Sequence, residues 1–192
     1  MIHIEKNDTP EFLVSYVKKN PTATYDSESF KPLHRVLRAE LVKEQKGLCA
    51  YCCSMITTED SHNEHIEPRN MKDGTYSRRS LDYSNIVASC NRAGTCGDHK
   101  KNVYDEARFV SPLHEDCERF FSYDPDGYMH GDEYTISLLN LNSFGLRRAR
   151  KSIYKMIMSM DSADIKMAYC SDSEEYFPYS NVIFWYLRAI EG

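Results

Sequence analysis

With 192 residues, 41% of them hydrophobic, the chain can bury one ordinary core and is too short for several. Its longest apolar run, Val182 to Leu187, falls far short of the roughly 20 residues of a membrane helix, and the opening MIHIEKND has no signal-peptide core, so a cytoplasmic protein without a membrane span is expected. Seven cysteines in that reducing setting point to metal or redox chemistry instead of disulfides, and a net charge of -5 argues against a generally basic nucleic-acid binder.

Near the start, Thr9 as N-cap, Pro10 in the first turn and Glu11 at the positive end predict a short helix running to Lys19, stopped by Asn20 and Pro21. A second helix is expected from Phe30 to Lys46, with Leu33, Val36, Leu37 and Leu41 on one stripe and Gly47 as C-cap. Residues 48 to 102 show no long helical period. They hold a strand-like piece at Ser84 to Ala88 and turn signals at Lys72 to Gly74 and Ala93 to Gly97. This stretch is also where positive charge collects: between His65 and Lys101 seven Lys or Arg stand against four acids, a local +3 that leaves -8 elsewhere. From Val103 to Gly145 nine acids face only Arg108 and Arg119, a surface that repels phosphate and suits either solvent or a protein partner. The period of Leu146, Ala149, Ile153, Met156, Ile157 and Met160 predicts a helix over Phe144 to Met160, whose other face carries Arg147, Arg148, Arg150, Lys151 and Lys155 for solvent, phosphate or this chain's own acids. After the short acidic loop Ser171 to Glu175, Pro178 precedes a last helix from Ser180, with an apolar face around Trp185 fit for core packing or for docking.

Cys49 and Cys52, in CAYC, have the two-residue gap by which a zinc knuckle presents paired thiolates, and Cys90 with Cys96 completes a four-sulfur site some 40 residues later. The five-residue gap of the second pair is wide, so Cys53, His62 and His99 are alternative ligands, while Cys117 and Cys170 read as isolated buried thiols. A thioredoxin-like dithiol at Cys49 and Cys52 is the redox alternative, but that motif follows a strand, and here a helix leads in.

Between the pairs lie HNEHIEPRN, with Glu64 next to His65, and LDYSNIVASC, with Asn85; after them CGDHKKN opens a helix. The order CxxC, acid-His, Asn, Cys, His-Lys resembles the HNH nuclease motif. More narrowly, CAYC, EHIEPR, DYSNIVASCN and CGDHKKN, with TISLLNLNSFGLRRAR downstream, resemble the PtuB type of HNH nuclease of Septu and some retron anti-phage systems, encoded beside an ABC-type ATPase of the PtuA type. The likeness covers about Leu33 to Arg150. It implies an α+β fold, a zinc-stabilised ββα-metal module (48–110) between an N-terminal helical segment (1–47) and a C-terminal helical segment (111–192), in one compact unit. It implies phosphodiester hydrolysis of DNA or RNA with His65, Asn85 and His99 as catalytic residues, structural Zn2+ on Cys49, Cys52, Cys90 and Cys96, and a divalent cation, Mg2+ or Mn2+, on Glu64 and His99. The implied partners are the ATPase and, through it, a retron reverse transcriptase with its nucleic acid. The rival from another class is a zinc module that only binds nucleic acid or a protein.

The residues' own chemistry agrees with that likeness. An imidazole titrating near neutrality can take a proton from water, which suits His65 to general-base work, with Asn85 as an orienting group. Neighbours on a regular strand point to opposite faces, so bringing Glu64 and His65 together calls for a twist or bulge between Asn63 and Ile66. Arg69, Lys100 and Lys101 are expected on flanking phosphates, together with some of Arg78, Arg79 and Arg92.

Overall fold

The computed structural model describes residues 1–70, 75–170 and 174–191. The first helix, α1 (Glu11–Lys19), places Glu11 in its first turn and Lys18 and Lys19 in its last, in line with the helix dipole. Pro10, not Thr9, holds the N-cap position, and no side chain caps it. Asn20 ends α1 with its backbone N–H on the Tyr16 and Val17 carbonyls. The expected second helix is shorter than its stripe suggests: a 3-10 turn over Lys31–Leu33, with Pro32 in it, leads into α2 (His34–Glu44). Lys46 (φ 54°) and Gly47 (φ 75°) then reverse the chain in succession. Leu37 and Leu41 are fully buried, and Gln45 joins α2 to the central sheet, its amide donating to the Leu48 and Ala88 carbonyls while its oxygen accepts from Ala88 N–H at 2.6 Å.

At the centre, β1 (Ser61–His65) pairs antiparallel with β2 (Ile86–Cys90) in a regular register from Ser61 opposite Cys90 to His65 opposite Ile86. The strand begins two residues later than expected because Asp82 accepts from Ser84 N–H and holds Tyr83–Asn85 in a 3-10 turn. The short helix α3 (Cys96–Lys100) packs on β2 and completes a ββα unit. The turn signal at Lys72 to Gly74 lies outside the described residues.

Downstream come the hairpin β3 (Phe121–Tyr123) and β4 (Met129–Gly131), then α4 (Glu133–Leu138), capped by Asp132, α5 (Phe144–Ile157), α6 (Ser162–Tyr169) and α7 (Ser180–Glu191). The hairpin, α4 and α6 show no signal in the apolar periodicity because none is long enough to display a period. The acids of this region are largely engaged within the chain: Asp124 with His130, Asp126 with Lys151 and Glu118 with Arg188. Arg147 lies 4.3 Å over the Tyr128 ring, so the basic face of α5 answers the acidic segment of its own chain. Arg150 departs furthest from a surface residue. It is buried, donating from Nε to the Gly127 carbonyl and from a terminal nitrogen to the Leu141 carbonyl and Asn142 Oδ1. The apolar face of α7 packs largely on the core, with Val182 and Ile183 fully buried, which is the core-packing alternative of the two expected for it. One buried cluster runs from Met1 and Leu13 through Leu41, Tyr51 and Ile86 to Leu146 and Leu187. No described helix is long and apolar enough to cross a membrane.

Candidate active site

The turn after α2, the end of β2 and the start of α3 converge on four buried sulfurs. The Sγ atoms of Cys49, Cys52, Cys90 and Cys96 lie within 4.8 Å of one another, with Cys49–Cys96 and Cys52–Cys90 both at 3.9 Å. A tetrahedral zinc with Zn–S near 2.3 Å sets its sulfurs about 3.8 Å apart, so the cluster fits such an ion. Hydrogen bonds from Cys49, Cys52 and Cys96 hold the Cys90 thiol well below its ordinary range, while burial pushes Cys49 well up. A cation among the four sulfurs would draw all of them to the thiolate form, the state in which cysteine binds zinc. Among the described residues no other group of three or more His, Cys, Asp or Glu donors comes this close. Cys53, although adjacent, stands apart: burial raises its thiol to about 11. Cys117 is buried, as expected, whereas Cys170 is exposed, because α6 ends there at the surface.

The regular pairing of β1 carries no bulge, contrary to expectation. His62 and Glu64 therefore leave one face, toward α3, and Asn63 and His65 the other, toward α2. On the first face Glu64 Oε1 accepts from Lys100 Nζ at 2.9 Å, and its Oε2 lies 3.5 Å from His62 Nε2. Burial works against the Glu64 carboxylate, but His62 and Lys100 outweigh it and keep the group below its usual range. Burial likewise lowers His62, and the bonds to Glu64 and to Asn91 Oδ1, 2.8 Å from Nδ1, raise it on balance. Facing them is Gly97 of α3, where a Cβ would stand 2.7 Å from both Glu64 Oε2 and His62 Nε2. Only glycine leaves that cradle open. Two ligands each about 2.1 Å from one ion lie roughly 3.0–3.5 Å apart, so a divalent cation fits between Glu64 Oε2 and His62 Nε2, with water completing its shell.

On the second face, His65 is buried with Nε2 at 2.9 Å from the Ser80 carbonyl, which assigns the proton to Nε2 and leaves Nδ1 as the acceptor. Its ring meets Tyr25 edge-on at 4.8 Å, and Tyr25 is itself stacked on His34 at 4.2 Å. Burial lowers the His65 pKa below 6.5, only partly offset by the Ser80 bond. Asn85 ties down the segment after β1: its amide donates to the Glu67 carbonyl and its oxygen accepts from Glu67 N–H, both at 2.9 Å. Both faces border one cavity of about 350 Å³ that also has Tyr25, Arg38, Asn63, Pro68, Arg69, Lys101 and Asn102 in its walls.

Two expected site residues are placed elsewhere. His99 is not beside Glu64. On α3 it lies some 200° around the axis from Gly97, with Nδ1 2.9 Å from the Leu138 carbonyl, in a different cavity shared with His130 and Asn140. Lys100, expected on phosphate, is fully buried and spans Glu64 and the His65 carbonyl. Lys101 is exposed on the cavity rim, and Arg69 sits there between Asp26 at 3.3 Å and the Tyr25 ring. Arg79 is taken up by Glu67 and Asp82. The imidazole that does meet Glu64 is His62, whose spacing of two from Glu64 on a strand is the signal that finds it. Tyr25 and Arg38 come from the N-terminal segment, where sequence spacing has no hold on them.

No protein-family profile matches the chain. It is 31% identical over 172 residues to the HNH endonuclease assigned to retron Vc95 of Vibrio cholerae serotype O1 biovar El Tor, covering 79% of this chain and 81% of that protein. It is 26% identical over 146 residues to the HNH endonuclease assigned to retron Ec83 of Escherichia coli, covering 72% of this chain and 53% of that protein.

Proposed function

Because the chain belongs to the family of retron HNH endonucleases, we propose that it cuts nucleic-acid phosphodiester bonds at the cavity between α2, β1 and α3, as the metal-dependent effector of an anti-phage system acting with an ABC-type ATPase. The observation that carries the chemistry is His65, whose free Nδ1 shares a cavity with the Glu64 carboxylate and the cations Arg69 and Lys101. His65 Nδ1 takes the proton of an attacking water, and the Ser80 carbonyl, holding the other nitrogen, keeps the ring in that tautomer. Asn85 positions the strand exit on which that geometry depends.

Glu64 and His62 are the residues proposed to hold the catalytic Mg2+ or Mn2+, in place of Glu64 and His99. When bound there, the ion supplies positive charge for the developing phosphorane and the departing oxygen. Lys100 keeps Glu64 ionised from the far side while leaving Oε2 open. Arg69 and Lys101 hold flanking phosphates. In this reading the sulfur cluster carries a structural zinc and takes no part in hydrolysis.

The defence role, the PtuA-type ATPase and, through it, a retron reverse transcriptase with its nucleic acid are supported by the PtuB-like motifs and by the retron setting of both relatives. The setting proposed for the reaction is the cytoplasm. The test is purified protein with Mg2+ or Mn2+ on plasmid DNA and transfer RNA, beside His65→Ala, repeated with the co-expressed ATPase. Cleavage lost in the variant supports the proposal. Equal cleavage by both proteins refutes the role given to His65, and none by either with the ATPase present refutes the nuclease reading and leaves a zinc module that only binds.

A further inference from the structure

We propose that Arg38, on α2 and outside the zinc-bound module, is a phosphate clamp of the nuclease cavity, an inference that rests on the nuclease reading above. On α2, His34, Leu37, Arg38 and Leu41 follow the i, i+3, i+4, i+7 spacing of a single face, the face that packs on β1. Leu37 and Leu41 spend it on the core, while Arg38 reaches the cavity wall that also holds His62, Glu64, His65, Arg69 and Lys101. One terminal nitrogen of Arg38 donates to the Thr58 carbonyl at 3.0 Å, which fixes the plane of the guanidinium. Its Nε is buried and has no acceptor among the described residues.

A buried donor without a partner costs on the order of 1–3 kcal/mol, and a fixed, always-charged fork in a cavity wall suits an oxygen anion better than water. Asn63, in the same cavity wall, has its Oδ1 buried and, among the described residues, also without a partner, while its amide nitrogen is pinned by the Tyr25 hydroxyl and the His34 carbonyl. The wall thus includes a guanidinium whose charge is only partly met within the chain, suited to a phosphate that enters the cavity. Arg38 and Arg69 approach from different elements, one on the helix and one past the strand exit.

The experiment measures binding of a fluorescein-labelled oligonucleotide, offered as single-stranded DNA, duplex DNA and RNA, without divalent metal over a range of salt. It compares wild type with Arg38→Ala, Arg38→Lys and His65→Ala, with kcat and KM measured in Mn2+ and melting curves as a check on folding. The expected result is about a tenfold weaker Kd for Arg38→Ala near 0.1 M salt, with the slope of log K against log salt smaller by about 0.7–0.9, the share of one phosphate contact. KM follows Kd and kcat stays within a few-fold. Arg38→Lys, which keeps the charge and loses the fixed fork, recovers the slope. Arg38→Ala with the wild-type slope, or Arg38→Ala and Arg38→Lys losing affinity equally with lower melting temperatures, overturns the clamp and leaves only a Thr58 tether. If wild type binds and cuts while His65→Ala binds without cutting, the nuclease reading stands whatever Arg38 does. If wild type neither binds nor cuts, that reading falls and the clamp falls with it.

Discussion

Replacing Gly97 by alanine tests the cradle with a single methyl group. The added carbon would stand 2.7 Å from Glu64 Oε2 and His62 Nε2, against about 3.4 Å for ordinary contact, so something must retreat by about 0.7 Å. The backbone is poorly placed to do so. Cys96 is held in the sulfur cluster and by its N–H on the Leu139 carbonyl, and Gly97 N–H donates to Ser89 Oγ at 3.2 Å. The two side chains therefore move, and Glu64 does so by stretching its 2.9 Å bond to Lys100. In a helix alanine is favoured over glycine by about 1 kcal/mol, and overpacking costs about 1–3 kcal/mol, so the net loss of stability is about 0–2 kcal/mol and the protein stays folded. Catalysis is less forgiving: misplacement by about 1 Å costs around a hundredfold, and sites are set to about 0.5 Å. Gly97→Ala is thus expected to lower kcat by about 10- to 100-fold, with oligonucleotide Kd and zinc content unchanged. Initial rates at saturating Mn2+, elemental analysis and a melting curve make the measurement. A variant with wild-type kcat and wild-type Mn2+ dependence refutes the placement of the cation between His62 and Glu64.

Cys49→Ala should unfold the central module and abolish zinc in elemental analysis, since a thiolate-bound ion contributes on the order of 10 kcal/mol against a total stability of about 5–15 kcal/mol; a wild-type melt without zinc contradicts this. Burial depresses the His65 pKa below 6.5, so the imidazole is neutral at pH 7 and the acid limb of the kcat profile should fall below pH 6.5. The unfolded chain takes up that proton more readily, so His65 also makes stability decline as pH drops through 6.5 toward the folded pKa; an acid limb above 6.5 opposes the assignment. Lys100→Met leaves Glu64 buried without its counter-ion and should cost about 3–5 kcal/mol in urea unfolding, whereas Lys101→Ala should stay within about 0.5 kcal/mol. Arg150→Met strands the Gly127 and Leu141 carbonyls and should lower stability by about 3 kcal/mol, a melting shift of roughly 6–12 °C, and a shift under 2 °C counts against it.

The four-sulfur cluster is legible because two thiol pairs at short spacing have few uses other than gripping one metal ion, and the wide gap from Cys90 to Cys96 is harmless. That gap is spanned by the turn through Gly94 (φ 68°), and Cys96 itself adopts φ 54°, so the extra residues coil up before the sulfur turns inward. The place of His99 follows from period: an ordered motif carries no facing, but α3 sends residues 96, 97 and 100 toward the sheet and residue 99 away from it. The same period hides Lys100 and exposes Lys101, two neighbours with identical chemistry and opposite fates. Tyr25 carries no local signal of its role, because its partners His34, Asn63 and His65 lie 9 to 40 positions away and meet it only when α2 docks on β1.

That docking explains why a metal-stapled module of this kind needs its neighbours. β1 has one paired edge, with β2, and its side chains split between two faces, so no single element can enclose the site. Gln45 locks α2 to Ala88, the residue opposite Asn63, and so fixes the height of the helix against the strand. From that height His34 supports Tyr25, Tyr25 supports His65, and Arg38 reaches the opening. The sulfur cluster organises one side of the sheet and a helix the other. Gln45→Ala should therefore lower kcat while the sulfur cluster keeps its zinc, because it loosens the second side alone, and loss of zinc together with activity would show that the two sides form one cooperative unit.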